Sequence, residues 1–147
     1  MLGCTWSLSA GPLWSEATGQ HTATFYLHNT SDAACELRGY PEIVLLDAER
    51  RPLRFAYGHD GDQMVTSRTP RTVKVAAGAR AFFMFNKYRC DVESTDVARF
   101  VRVRLPGSQR WLELRLRHDP TVDICPEAAS RTIAVSPVVA RPRDAAR

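Results

Sequence analysis

Four histidines (His21, His28, His59 and His118) and the carboxylates beside them are the residues with which this chain could do chemistry. His59, Asp60 and Asp62 fall together in Gly58-His59-Asp60-Gly61-Asp62, and His118-Asp119 fall in a second loop. A metal site needs several such donors converging on one point, and this set offers oxygen and nitrogen ligands for a hard cation or zinc. Turns demand the same spacing, because Asp side chains hydrogen-bond their own backbone. The turn reading is preferred, so the expectation is no metal, with His59, Asp60 and Asp62 as the candidates to check. A concave pocket joining His59, Asp60 and either Asp62 or His118 would mark a hydrolase or metal-dependent enzyme. Serine, histidine and aspartate are all present, but no Gly-x-Ser-x-Gly elbow focuses them into a triad. The cysteines are Cys4, Cys35, Cys90 and Cys125, and none form a C-x-x-C pair, which excludes a zinc ribbon or a thioredoxin-like motif. Cysteine catalysis needs an unpaired, activated thiol, and the even count argues against one. The chain is therefore expected to have no catalytic residue and no cofactor. Widely spaced cysteines in even number point instead to disulfides in an oxidising compartment, with three connectivities open.

Two surfaces could bind rather than react. A hairpin from Val97 to Arg117 places Val101, Val103 and Leu105 inward and Arg102, Arg104, Arg115 and Arg117 outward, with Glu113 among them. Such a stripe could contact anionic polymers or lipid head groups; the competing reading is a solvated face that blocks edge pairing. The run Arg80 to Asn86 is apolar at both parities, with Ala81, Phe83 and Phe85 on one and Phe82 and Met84 on the other. A strand apolar on both faces is covered by a loop or offered to a partner. Asn29-Thr30-Ser31 fits a glycosylation acceptor pattern, but it reads first as a turn held by Asn29 and Ser31.

The elements that must position these residues are strands. His21 to Asn29 alternates, with Ala23, Phe25 and Leu27 to one side and Thr22, Thr24, Tyr26 and His28 to the other. Further strands are expected over 34–38, 42–47, 53–57, 72–75, 80–86, 97–105, 110–117 and 132–138. Ala76-Ala77-Gly78-Ala79 and Pro106-Gly107 read as tight turns. No segment carries a convincing helical stripe; Glu93 to Phe100 is the best and it is short. Eight or nine short strands with regular turns predict an all-β fold, an immunoglobulin-like antiparallel sandwich of about eight strands, with a closed barrel as runner-up. One domain is expected over 4–138, with 139–147 a disordered, frayed tail.

Composition agrees with a soluble globular domain at 44% hydrophobic and 24% charged residues. No run of about 18 apolar residues exists to span a bilayer as a helix. Of the 20 basic residues only Lys74 and Lys87 are lysine, and the net charge is +4. That excess is too small and too spread for a nucleic-acid-binding domain, so no nucleic acid is expected as partner. Before Cys4 there is neither a basic segment nor an apolar run, so a signal peptide is not visible in this chain.

The order of motifs is more specific than any one of them. Leu27-His28-Asn29-Thr30-Ser31 is followed by Cys35-Glu36-Leu37-Arg38-Gly39-Tyr40-Pro41, then Leu45-Leu46-Asp47, Val75-Ala76-Ala77-Gly78-Ala79-Arg80-Ala81, Cys90, Val103-Arg104-Leu105-Pro106-Gly107 and Cys125. This order resembles the actinobacterial exported proteins grouped as domain of unknown function 4232, over about residues 4 to 138. The Cys-x-Leu-x-Gly-Tyr-Pro corner is the most specific element, and Ala77 stands where the family often has proline. The resemblance implies a secreted or lipid-anchored sandwich domain and implies no activity. In the corner, Gly39 allows a positive φ, proline holds Tyr40 extended, and the Tyr40 ring is expected over the core with its hydroxyl on a backbone partner. Pairing neighbours in cysteine order gives Cys4–Cys35 and Cys90–Cys125. Each bridge would close a loop of roughly 30 to 35 residues, contributing about 3 to 4 kcal/mol.

The function expected from these features is a non-catalytic, extracytoplasmic binding or structural module of the bacterial cell envelope. Its partner would be a protein or an anionic envelope component, with peripheral or lipid-anchored membrane association. The alternatives are a hydrolase or metal-dependent enzyme with its site on loops at one end, and an inhibitor or sensor domain with a protruding loop over 58–71.

Overall fold

The computed structural model describes residues 3–15, 20–88, 90, 96–116, 122–123 and 131–147, with the backbone alone at 12–15 and 122–123. The described strands are β1 (Trp6–Ser15), β2 (Gln20–Asn29), β3 (Cys35–Leu37), β4 (Glu42–Leu46), β5 (Ala56–Gly58), β6 (Val73–Val75), β7 (Arg80–Tyr88), β8 (Val97–Ala98), β9 (Phe100–Arg104), β10 (Trp111–Arg115), β11 (Val122–Asp123) and β12 (Thr132–Val135), followed by one short helix, α1 (Pro142–Ala145). They form a five-stranded sheet in the order β1-β2-β7-β12-β5, a three-stranded sheet β10-β9-β4, and two ribbons, β3-β6 and β8-β11. The fold is all-β with several sheets, and it is not a closed barrel. One pairing departs from the antiparallel expectation: β12 runs parallel to β5. The chain between them crosses into the other sheets before it returns, so no hairpin constrains their direction.

Alternation decides which side chains meet. On β2, Ala23, Phe25 and Leu27 are buried and face Ala81, Phe83 and Phe85 across the β2–β7 ladder. The Phe25 and Phe83 rings stack at 4.9 Å between centroids. Ile43 and Leu45 of β4, Val101 and Val103 of β9, and Val73 and Val75 of β6 join the same apolar cluster. The core therefore fills the space between the five-stranded sheet on one side and the three-stranded sheet with the β3–β6 ribbon on the other.

Strand β1 is not anticipated by the sequence reading, because Gly11-Pro12 interrupts it and Ser7, Ser9 and Ala10 are small. It survives as an edge strand, where a proline removes no ladder bond that the sheet needs. Its register on β2 shifts between Ala10 and Trp14, around that proline.

The C-terminal segment is not the frayed tail expected over 139–147. Val139 exchanges backbone hydrogen bonds with Phe82 at 2.8 and 2.9 Å, Thr66 N–H donates to the Ala145 carbonyl, and Arg147 N–H donates to Met64. Ala145 is fully buried, so the segment is held by the surface it covers.

Among the described residues one disulfide is seen. Cys4 and Cys35 are bonded, with their Cα atoms 6.3 Å apart at a sequence separation of 31. Cys125 lies outside the described residues, and among those described no cysteine is a free thiol.

Candidate functional site

The residues of the Asn-Thr-Ser turn, the Cys35 corner and the Ala-Ala-Gly-Ala turn are far apart in sequence and meet in space. Asn29 ends β2 and is fully buried. Its amide nitrogen donates to the carbonyls of Ala33 at 2.9 Å and Val75 at 3.1 Å, and its amide oxygen accepts from Ser31 N–H at 3.0 Å and from the Ser31 hydroxyl. Gly78 N–H donates to the Asn29 carbonyl, and Cys35 lies opposite Val75 in the β3–β6 ladder. The disulfide brings the start of β1 to the same point, where Thr5 and Thr30 share a hydroxyl hydrogen bond of 2.7 Å. The Asn29 turn is thus structural, and a buried, engaged amide is no glycosylation acceptor. Gly39 has φ +125° and its carbonyl accepts from Val138 N–H, while Pro41 is buried. Tyr40 departs from its expected position. Its half-buried ring lies flat on His59, 3.8 Å between centroids, and its hydroxyl donates to the His59 carbonyl at 3.4 Å.

His59, Asp60 and Asp62 do not converge into a metal site. His59 is committed to Tyr40 by stacking, and Asp60 is exposed. Asp62 turns inward: one carboxylate oxygen accepts from the backbone N–H groups of Met64 and Val65, each at 2.8 Å, and the other accepts from the Asn86 amide at 2.8 Å. Asn86 in turn binds Gln20 and Thr22, closing a buried polar network over β2 and β7. Among the described residues no group of three or more histidine, cysteine, aspartate or glutamate side chains could hold an ion. His118 and Asp119 lie outside the described residues.

This packing also corrects the reading of Phe82 and Met84 as a partner patch. Met84 is buried in a small cluster with Val65, Ala134 and Ala145, and Phe82 is half-buried with its ring edge-on to Tyr26. The loop at 58–71 does not stand clear as an inhibitory loop would. Its middle, with Val65 and Thr66 buried, folds down on the outer face of the five-stranded sheet, and the C-terminal segment closes beside it.

The arginines of the β9–β10 hairpin do reach the surface. Along β9, Val101 and Val103 are fully buried while Arg102 is exposed and Arg104 half-buried; Arg115 is exposed on β10. Arg117 lies outside the described residues. The ladders place Glu42, Arg104 and Trp111 in one cross-strand row, Val44, Arg102 and Glu113 in the next, and Leu46, Phe100 and Arg115 in the third. Arg104 pairs with Glu42 and lies 4.8 Å from the exposed Trp111 ring. Glu113 accepts from Arg102 at 3.2 Å and from Arg50 at 3.3 Å. Desolvation pushes the Glu113 carboxyl up, but those two guanidinium groups outweigh it and hold the carboxyl below its ordinary value. Arg50, missed in the sequence because it follows β4, completes the face: its guanidinium sits 4.2 Å above the Phe100 ring, with Arg115 at 5.7 Å. Four arginines against two glutamates leave an excess of two positive charges on this face.

A second basic feature was not anticipated. A groove of about 380 Å³ opens between residues 66–73 and the segment 137–141, lined by Arg68, Arg71 and Arg141 among apolar and threonine side chains. Its sequence signal is Ser67-Arg68-Thr69-Pro70-Arg71-Thr72, where basic and hydroxyl residues surround a proline.

Comparison with known proteins agrees with the motif order. A family model described as Domain of unknown function (DUF4232) matches residues 7–140. No curated protein and no solved structure matches the chain.

Proposed function

The chain belongs to the DUF4232 family, and from that premise we propose that it is a non-catalytic, extracytoplasmic binding or structural module of an actinobacterial cell envelope. In this reading the domain is an immunoglobulin-like sandwich, with Cys90 and Cys125 as its second bridge. An even cysteine count and the absence of a free thiol among the described residues support that bridge, and a crosslinked domain suits an oxidising compartment. Non-reducing peptide mapping tests it: a Cys90–Cys125 peptide is expected, and any other partner for Cys90 would refute the pairing.

The observation that carries the binding role is the outer face of the three-stranded sheet. Arg102, Arg104 and Arg115 stand there in successive cross-strand rows, Arg104 opposite an exposed Trp111, and Arg50 lies over the Phe100 ring on the same face. Glu42 holds Arg104, Glu113 holds Arg50 and Arg102, and the face as a whole keeps an excess of positive charge. An anionic envelope component would find fixed positive charge and a flat aromatic surface together. The partner is reached through charge, so binding should weaken steeply with salt. The test is retention on anionic vesicles and on native envelope fractions. A variant carrying Arg102→Glu, Arg104→Glu and Arg115→Glu should lose retention that wild type shows at low salt. Equal retention of the two proteins would remove this face from the function.

A further inference from the structure

The groove beside the C-terminal segment has the composition of a ligand site. Its volume of about 380 Å³ sits at the small end of the roughly 300–1,000 Å³ that ligand pockets span. Val73, Pro137, Val138 and Val139 form an apolar wall, and Val73 and Val138 belong to the core, so the wall is rigid. Arg141 is already spent on Asp144, with its Nε 3.0 Å and a terminal nitrogen 3.2 Å from the two carboxylate oxygens. Arg68 and Arg71 are exposed, and neither guanidinium has a hydrogen-bond or ion-pair partner among the described residues. Thr69 and Thr72 line the same groove. Three arginines against one aspartate leave two positive charges. The Asp144 carboxyl registers that field: hydrogen bonds from Arg141, against burial, and the charges of Arg141, Arg143 and Arg68 hold it below its ordinary value.

We propose that this groove binds a small phosphomonoester with an apolar body. The phosphate lies between Arg68 and Arg71 with donors from Thr69 and Thr72, and the body lies on Val73, Pro137 and Val139. A guanidinium fork matches phosphate oxygens two at a time. A phosphomonoester carries nearly two negative charges at neutral pH, which matches the excess in the groove, and the apolar wall is wasted on a free inorganic ion. None of these residues belongs to the arginine face of the three-stranded sheet, so this site goes beyond the function proposed above and stands or falls separately.

Phenyl phosphate titrated into the full chain, followed by calorimetry and amide chemical shifts, tests the site. Saturable binding with Kd of about 1 mM or tighter is expected. Inorganic phosphate should bind about five-fold more weakly for want of the apolar body, and benzoate more weakly for want of charge. Arg68→Gln and Arg71→Gln should each weaken phenyl phosphate about ten-fold, while Arg102→Gln with Arg115→Gln leaves it unchanged. Both groove arginines are exposed and unengaged, so the variants should melt as wild type does; Arg71→Lys, which keeps the charge but not the fork, should fall between. The site is overturned if no saturable binding is found. It is equally overturned if inorganic phosphate matches phenyl phosphate, or if the Arg68→Gln/Arg71→Gln double variant binds as well as wild type.

Discussion

Asn29 and Tyr57 each hold a junction that no apolar side chain could hold. Asn29 spends both ends of its amide on backbone and on Ser31, so the end of β2, the start of β3 and the turn before β7 are joined through one buried side chain. Tyr57 acts at an edge of the three-stranded sheet. Among the described residues no named strand pairs with β4 on its other edge, and the Leu45 N–H donates to the Tyr57 hydroxyl at 3.0 Å. Burial pushes the Tyr57 phenol from its ordinary 10 up to about 12, against the opposing hydrogen bond from Leu45. The unfolded chain loses this proton first, so between pH 10 and 12 the unfolded state binds fewer protons than the folded state. Stability from the neutral phenol is therefore complete below pH 10 and falls as pH rises towards 12, by up to about 2–3 kcal/mol. Urea denaturation from pH 8 to 12 should show wild type falling more steeply than Tyr57→Phe. At pH 8 the variant should be less stable by about 1–2 kcal/mol, since the Leu45 N–H loses its acceptor. Parallel pH profiles for the two proteins would show that this phenol does not titrate with folding.

At the scale of elements, the loop at 61–66 is as much a part of the five-stranded sheet's packing as any strand. It returns through Gly61, which has φ +74°, and a Cβ there would meet the Val65 carbonyl oxygen at 2.8 Å and the Ser67 nitrogen at 2.9 Å. Gly107 in the β9–β10 turn has a similar φ of +78° with nothing within 4 Å of an added Cβ. Gly107→Ala should therefore cost only the left-handed backbone strain, about 1 kcal/mol. Gly61→Ala should cost at least about 1 kcal/mol more and raise amide exchange in the loop and around Met84. Equal costs would mean that the loop can move aside freely. The same contrast explains what was legible in the sequence. Strands β2 and β9 could be read because one face is core and the other polar, so Phe25 and Val101 alternate with Tyr26 and Arg102. The turn at Pro106-Gly107 could be read because its chemistry is local: Ser108 N–H closes on the Leu105 carbonyl at 3.0 Å. Strand β1 and the C-terminal segment could not. Their order comes from what they lie against, β2 for one and Phe82, Met64 and Thr66 for the other, and that is a tertiary fact. The loop chemistry misled for a related reason. Asp62 has the residue type of a metal ligand, but the distant Asn86 and two nearby backbone N–H groups claim its oxygens. Only the basic half of the groove at Arg68 and Arg71 shows in a local stretch of sequence, since most of its apolar wall comes from residues about 65 positions later in the chain.

The whole molecule is closed from two ends: the C-terminal segment seals the outer face of the five-stranded sheet, and the Cys4–Cys35 bridge fastens its edge strand to the β3–β6 ribbon. Bridge and edge strand depend on each other, because β1 contributes mainly its ladder on β2 and the partly buried Trp6 and Leu8 to the core. The bridge spans 31 residues of sequence, and the chain-entropy estimate for such a loop is about 3–4 kcal/mol. For a chain of 147 residues that corresponds to roughly 10 °C in Tm. The Cys4→Ala/Cys35→Ala variant tests this, since replacing both residues leaves no thiol to scramble with Cys90 or Cys125. The entropic origin can be told apart from lost native packing. If the bridge acts by restricting the unfolded chain, its removal lets that chain expand, and the urea m-value should rise as stability falls. If the loss comes instead from the core, where Cys35 is buried against Val75, the m-value should stay fixed while the midpoint drops. A rise in m together with a loss near 3 kcal/mol is the expected outcome. A loss below about 1 kcal/mol would show that the Asn29 junction and the β1–β2 ladder hold this end of the molecule without the bridge.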